Sequence, residues 1–390
     1  MLVEREIQKS IKRLAAKFPV VMISGPRQSG KSTLLKVCFP KHEYVSLENM
    51  DVRSFAQADP RGFLNQFSKG AILDEVQRVP ELFSYMQEIV DNRKKSGLFI
   101  LSGSQNFLLM KNVSQSLAGR VAVLKLLPFS VAEIQEMRTS TANPYKLIFQ
   151  GFYPRLYDKR IKPADFYPSY IETYLQRDVR ELIRIGDLSK FTMFIKSCAA
   201  RIGGMLNLSS MANDCGISVP TAKSWLSILE ASYVVYLLQP HFQNVNKRLV
   251  KMPKLYFYDT GLACSLLNLK NEKQIELHYL KGALFENFVL MELLKKQYNN
   301  NAQPSIYFWR DKTGNEIDLM VDRGLNKTII EIKATETIKF DQTKGISYYT
   351  KLQEGIEELD AYVIYTGENH LKKEGVSYVS WQNIAKIPTD

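Results

Sequence analysis

The sequence predicts an α/β protein: a parallel sheet wrapped by helices, then a helical and winged-helix-like region, then a smaller α/β domain. Three patterns predict it. Apolar strand-like runs alternate with helical stretches from Phe18 to Leu126. A helix, a helix-turn-helix and two strands flanking a basic loop follow between Phe191 and Tyr258. A long helix and a run of strands close the chain from Gly282 onward.

Taken in order, Phe18 to Ser24 reads as a buried strand running into glycine, and a helix from Lys31 stops near Pro40. A strand from His42 to Leu47, a helix around Val52 to Phe67 and a strand Ala71-Ile72-Leu73 come next. A helix from Glu81 to Lys94, a strand from Leu98 to Ser102, a helix ending near Gly119 and a strand from Val121 to Leu126 complete the first unit. Val131 to Arg184 reads as helical, interrupted at Asn143-Pro144, at Gly151-Phe152-Tyr153-Pro154 and at Pro163. Within it Tyr170 to Arg180 has the pattern of a charged amphipathic helix. Helices are expected over Phe191 to Ile202, Leu208 to Asp214 and Pro220 to Ala231, then strands Val234 to Leu238 and Lys254 to Tyr258. The end reads as helix Gly282 to Lys296, strands Ser305 to Arg310, Glu316 to Val321 and Thr328 to Lys333, a helix near Gln342 to Lys351 and a strand Ala361 to Tyr365.

A chain of 390 residues is too long for one ordinary domain. Its 52 Lys and Arg against 40 Asp and Glu leave a net charge of +12. An excess of that size favours a polyanion such as DNA as partner, although solubility alone would be served by it too. Cys38, Cys198, Cys215, Cys264 and the scattered histidines form neither a CxxC pair nor zinc-ligand spacing, which speaks against a disulfide framework. No apolar run is long enough to span a bilayer, and the start lacks the apolar core of a signal peptide. A cytoplasmic protein with no membrane partner is therefore expected.

Chemistry first appears at Gly25-Pro26-Arg27-Gln28-Ser29-Gly30-Lys31-Ser32, followed by Thr33, between an apolar strand and a helix. In a Gly-x-x-x-x-Gly-Lys-Ser/Thr loop the glycines let backbone N–H groups turn inward and cradle phosphates. The lysine reaches the β- and γ-phosphates, and the following hydroxyl takes a place on Mg²⁺. The helix dipole adds to the attraction. ATP and Mg²⁺ are thus the expected cofactors, and hydrolysis the expected reaction.

Further along, Ala71-Ile72-Leu73-Asp74-Glu75 is an apolar strand ending in two carboxylates. Asp74 suits an outer grip on Mg²⁺, and Glu75 suits orienting the attacking water. The strand ending in Ser102-Gly103-Ser104-Gln105 reaches the same sheet edge. A polar side chain there is expected to meet the γ-phosphate or the water, with Ser102, Ser104 and Gln105 all eligible. Arg120 is either a finger stabilising phosphate charge, best placed at a neighbouring subunit's site, or an ordinary surface ion pair.

These residues, with Leu73-Asp74-Glu75-Val76-Gln77, Ser116 to Arg120 and Leu126-Leu127-Pro128-Phe129-Ser130, resemble the prokaryotic AAA+ ATPases of the archaeal-ATPase-like group. In these a C-terminal domain of unknown function follows the ATPase module. The helix carrying Arg177-Asp178 is similar to the start of that C-terminal region. The resemblance covers nearly the whole chain. It implies an additional-strand, catalytic-glutamate P-loop AAA+ core with Lys31, Ser32, Asp74 and Glu75 at the matching positions. Arg155 after Pro154 departs from the acidic or small residue expected there.

Near the end, Glu316-Ile317-Asp318 and Glu331-Ile332-Lys333 lie on adjacent predicted strands. Residues i and i+2 share a strand face, so Glu331 and Lys333 point together, as do Glu316 and Asp318. Carboxylates and an ammonium on a burying strand need partners or a metal ion. The arrangement looks like the PD-(D/E)xK core of restriction-endonuclease-like domains, with Asp318, Glu331 and Lys333 in the motif and Glu286 as the extra acid. That resemblance implies metal held by Asp318 and Glu331 and phosphate charge met by Lys333. A Glu–Lys pair that merely neutralises itself is the competing reading.

The loop from His241 to Lys254 contains no acidic residue, and Lys247, Arg248, Lys251 and Lys254 suit a phosphate backbone. Thr221, Lys223 and Ser224 on the recognition-type helix suit a groove. Residues 1–137 are expected to form the ATPase domain, 138–188 a helical lid or linker, 189–270 the winged-helix-like domain and 271–390 the nuclease-like domain. The leading expectation is a Mg²⁺-dependent ATPase controlling DNA engagement, with cleavage and homo-oligomerisation left open. One rival is a nucleotide-gated DNA- or protein-binding switch with an inactive nuclease-like fold. The other is a small-molecule kinase.

Overall fold

The computed structural model describes residues 3–104, 116–137, 143–178, 187–241, 252–338, 343–352 and 358–389. It divides into two compact units. The first is Met1–Phe129 with Ala231–Tyr233 and Tyr298–Ala302, and the second is the remainder.

The first unit runs α1 (Gln8–Ala15), β1 (Val20–Ser24), α2 (Lys31–Cys38), β2 (Glu43–Ser46), α3 (Met50–Ala58), α4 (Pro60–Asn65), β3 (Ala71–Asp74), α5 (Leu82–Arg93), β4 (Phe99–Gly103) and β5 (Val121–Lys125). Its sheet has the order β2-β3-β4-β1-β5, with every pairing parallel. Strand β4 therefore sits between β1 and β3, which is the additional strand the resemblance implies. All of β1 is buried, and its alternate residues enter opposite cores. Val20 and Met22 join Leu73, Phe83 and Leu101 on one face, while Val21 and Ile23 join Ile11, Leu35, Ile72 and Ile100 on the other.

The single helix expected around Val52 to Phe67 is two. Asp59 accepts a hydrogen bond from the Gly62 N–H and caps α4, and Pro60 at its first turn has no N–H to continue α3.

The second unit opens with α6 (Val131–Glu136), started by a reciprocal Ser130–Glu133 capping box. Short proline-led helices α7 (Pro144–Gln150), α8 (Pro154–Asp158) and α9 (Pro163–Tyr170) follow. At Gly151, with φ +73°, an added Cβ would stand 1.7 Å from the Tyr167 hydroxyl, so the predicted turn tolerates no side chain there. The chain continues as a π-helix over Ile171–Asp178, where the sequence predicts an ordinary amphipathic helix. The Arg177 and Asp178 side chains and residue Arg180 lie outside the described residues.

Helices α10 (Leu188–Ala200), α11 (Leu208–Asp214) and α12 (Val219–Ala231) precede an antiparallel pair, β6 (Val235–Leu238) and β7 (Lys254–Phe257). This is the order expected of a winged helix. Helices α13 (Thr260–Leu266), α14 (Glu272–Leu277) and α15 (Lys281–Asn299) lead into the last sheet. That sheet is mixed, ordered β12-β13-β11-β10-β9-β8, from β8 (Ile306–Arg310), β9 (Glu316–Arg323), β10 (Asn326–Lys333), β11 (Glu358–Tyr365), β12 (Leu371–Lys373) and β13 (Val376–Ser380). Helix α16 (Lys344–Leu352) lies between β10 and β11 in the chain. Strands β12 and β13 are not expected from the sequence; β12 is short and basic. Among the described residues no helix is long and apolar enough to cross a membrane. All four cysteines are free thiols and buried.

Candidate functional site

The phosphate loop leaves β1 at its C-terminal end, where the Leu126 N–H donates to the Ser24 carbonyl at 2.8 Å. That closeness fixes Gly25, because a Cβ there would stand 2.1 Å from the Leu126 carbonyl oxygen. Gln28 and Gly30 adopt positive φ, and α2 starts at Lys31. Arg27 is half-buried, Gln28 and Thr33 are exposed, and the Ser29 hydroxyl is buried with no hydrogen-bond partner among the described residues. Lys31 donates to the Gly25 and Pro26 carbonyls at 2.9 and 2.8 Å. Burial lowers its pKa to about 8, against the pull of the Glu75 and Asp74 charges.

Asp74, the last residue of β3, is gripped on both oxygens. Its Oδ2 accepts from Ser32 at 2.7 Å and from Tyr44 at 2.6 Å, and its Oδ1 accepts from Ser102. Burial alone would raise its pKa, yet the three hydroxyl donors outweigh burial and hold it below its usual value. Burial and the Asp74 contact push Tyr44 up to about 12, so it stays a neutral donor. Among the eligible β4 residues, Ser102 is committed to Asp74 and Ser104 donates to Glu75 at 3.1 Å; Gln105 lies outside the described residues. Glu75 sits in the left-handed region at φ 56° and also accepts from Gln77. A carboxylate-bound serine, a buried serine hydroxyl and the Lys31 ammonium together suit a Mg²⁺–phosphate group.

Sequence reading missed two supports of this site. Tyr44 comes from β2, and Arg5 donates from before α1 to the carbonyls of Ser29 at 2.9 Å and Leu127 at 2.7 Å. Neither stands in a recognisable motif, so no local signal could have found them.

Arg120 immediately precedes β5, at the sheet edge where the strands begin, and its carbonyl accepts from Val20. The phosphate loop lies at the other edge, about 16 Å away along a five-residue strand, further than an arginine side chain reaches. Arg120 donates to both oxygens of Asp91, at 2.6 and 2.8 Å.

The C-terminal sheet brings Glu286, Asp318, Glu331 and Lys333 together. Lys333 Nζ lies 2.7 Å from Glu331 Oε2 and 4.0 Å from Asp318 Oδ2, which also accepts the Ile332 N–H at 2.8 Å. Burial, reinforced by the Asp318 charge, pushes both Glu331 and Glu286 above the usual carboxylate range. Lys254, the first residue of β7, enters this group. It is 4% exposed, lies 3.0 Å from Glu286 Oε1 and contacts Glu316, while Tyr256 donates to Glu286. This corrects the expectation that Lys254 tracks a phosphate backbone, because its ammonium is buried among acids. Lys247, Arg248 and Lys251 lie outside the described residues. The carboxylates are hard donors suited to Mg²⁺, but as placed they face ammonium groups and do not fit it. Among the described residues no group of three or more His, Cys, Asp or Glu is arranged to hold a metal ion. On α12, Lys223 and Ser224 are exposed, and Thr221 is half-buried beside Ser218.

The fold and the loop define a P-loop AAA-type ATPase fold followed by a helical region and a mixed-sheet domain. Residues 17–135 match the AAA domain family, residues 141–273 a domain of unknown function (DUF8612) and residues 281–384 another (DUF4143). An uncharacterized protein of Mycobacterium tuberculosis is 31% identical over 347 residues, spanning 86% of this chain and 75% of its own length. An uncharacterized protein of Methanocaldococcus jannaschii is 24% identical over 380 residues, spanning 88% and 80%. The chain belongs to the family of these proteins, which here joins an AAA domain to a C-terminal DUF4143 domain. Among solved structures, a Walker-type ATPase of Pyrococcus abyssi is similar with a TM-score of 0.46 and 13% identity, over 68% of this chain and 96% of that one.

Proposed function

We propose that this protein is a cytoplasmic, Mg²⁺-dependent ATPase whose nucleotide cycle controls engagement of DNA by its winged-helix-like region. The observation that carries the ATPase reading is Asp74, held between Ser32 and Ser102 at the strand end beside Lys31. Residues 25–33 bind the nucleotide, with backbone N–H groups and Lys31 on the phosphates. Ser32 and Asp74 hold the Mg²⁺ side of the site, and Mg²⁺ supplies charge neutralisation there when bound. Glu75 orients the attacking water and takes its proton, with Ser104 steadying the carboxylate. Arg120 acts on a neighbouring subunit's nucleotide, which makes the working form a homo-oligomer.

The net charge and the exposed Lys223 and Ser224 support the DNA partner. In functional terms we read residues 1–137 as the ATPase domain, 138–188 as lid, 189–270 as winged-helix-like and 271–390 as nuclease-like. If the last cuts DNA, Asp318, Glu331 and Glu286 hold its metal and Lys333 meets the phosphate. The ammonium groups against these acids favour the other reading, a switch with a silent nuclease-like fold.

Hydrolysis of ATP and cutting of plasmid DNA with Mg²⁺ or Mn²⁺, compared among wild type, Lys31→Ala and Asp318→Ala, test this. The ATPase reading expects turnover lost in Lys31→Ala and kept in Asp318→Ala; turnover surviving in Lys31→Ala sinks it. Cutting that requires Asp318 would overturn the silent reading. For DNA engagement, Lys223→Ala should weaken binding and lower the salt slope by about 1.

A further inference from the structure

We infer that Lys254 is the internal cation of the C-terminal carboxylate site and occupies the place a divalent metal ion would need. The acids converge from three elements: Glu286 from α15, Glu316 and Asp318 from β9, and Glu331 from β10. Lys254 comes from a fourth, the second strand of the winged-helix-like hairpin. Its ammonium is held between Glu286 and Glu316 and lies over the Phe308 ring, 5.4 Å from the centroid. Tyr256, two residues on and so on the same strand face, donates to the same Glu286 oxygen that Lys254 approaches.

A buried carboxylate cluster is costly unless positive charge offsets it, and Lys254 together with Lys333 offsets part of the charge of these acids without any metal. Glu286 Oε1 already accepts from both Lys254 and Tyr256. Lys333 does the same for Glu331. A divalent ion entering here must expel an ammonium held by two carboxylates. The winged-helix-like hairpin thus supplies part of the C-terminal site, and the charge of that site is offset in part by the protein itself.

The test is a titration of the full-length, nucleotide-free protein with Mn²⁺, following free Mn²⁺ by electron paramagnetic resonance and thermal unfolding in parallel. Lys254→Gln keeps a donor to Glu286 and removes the charge. It should gain one Mn²⁺ site, bound at least about tenfold more tightly than any Asp318-dependent site of wild type. The gain should vanish in Lys254→Gln/Asp318→Ala, and Mn²⁺ should raise the melting temperature of Lys254→Gln alone. Glu316→Gln, which loosens the grip on Lys254 and also removes the ion pair with Arg310, should shift Mn²⁺ binding the same way by a smaller factor and covers the case where Lys254→Gln fails to fold. Equal Asp318-dependent affinity in wild type and Lys254→Gln, or no such binding in either, overturns the inference, as does an unchanged titration of Glu316→Gln where only that variant folds. ATP turnover and DNA cutting are read separately, so the functional reading above and this inference fail independently.

Discussion

The guanidinium of Arg5 donates to the carbonyl of Ser29 at 2.9 Å, tying the segment before the first helix to the phosphate loop. Its second branch reaches the Leu127 carbonyl, so one buried side chain clamps the loop against the chain leaving β5. Arg5→Ala leaves two buried carbonyls unpaired, at about 1–3 kcal/mol each. A lower melting temperature and about tenfold weaker binding of a fluorescent ATP analogue are expected. Arg5→Lys, which cannot fork to both carbonyls, should fall between. Unchanged nucleotide affinity in Arg5→Ala would limit the clamp to stability.

Tyr44 shares Asp74 Oδ2 with Ser32 and so fixes the direction of the carboxylate. Tyr44→Phe removes the hydrogen bond to Asp74 and keeps the ring beneath Lys36, whose Nζ lies 3.6 Å from its centroid. The Mg²⁺ concentration for half-maximal nucleotide binding should rise about three- to tenfold, with little change in melting temperature. An unaltered Mg²⁺ curve would remove Tyr44 from the site.

Arg120 and the phosphate loop occupy opposite edges of one sheet. If the arginine serves another copy, as proposed, Arg120→Ala should bind nucleotide normally and turn it over slowly. Mixing Arg120→Ala with Lys31→Ala should restore part of the ATPase rate, since the first supplies an intact loop and the second an intact finger. A mixture no faster than its two components would assign Arg120 to its pair with Asp91 alone.

His241 is buried, with Nε2 3.0 Å from Asp322 on β9; Lys327 of β10 also lies 3.0 Å from that carboxylate, and the ring packs edge-on to Tyr307 of β8. Burial pushes the imidazole below its usual pKa, Asp322 opposes the shift and the Lys327 charge adds to it. The unfolded chain therefore takes up the proton first. Stability is full above the ordinary histidine value of about 6.5 and is lost as pH falls below it. His241→Gln should cost about 1 kcal/mol at pH 7.5, with the gap to wild type narrowing as pH falls below about 6.5 in denaturant titrations. A constant gap would contradict the assignment.

Much of this site is legible in one dimension because its chemistry is carried by backbone turns of fixed length. Gly25 to Ser32 has to be contiguous to cradle a phosphate, and Asp74 has to end an apolar strand to reach the same edge. Helix and strand periods placed β1, α2, β3 and β4 to within a residue or two, since burial on both faces leaves nearly unbroken apolar runs. The break between α3 and α4 was written in Asp59-Pro60 and hidden by the apolar pattern running across it. The Glu331–Lys333 pair was legible for the same local reason, a shared strand face.

The sequence by itself determined which residues form the loop, which acids follow β3, and that acids and a lysine would share a burying sheet. Only the tertiary structure decided what completes them. Ser102 rather than Ser104 turns to Asp74, Tyr44 and Arg5 hold the loop's surroundings, and Lys254 leaves a basic stretch to enter an acidic core. These contacts join residues far apart in the chain. Their energies depend on distance and on removal from water, and both are set by packing rather than by spacing along the sequence.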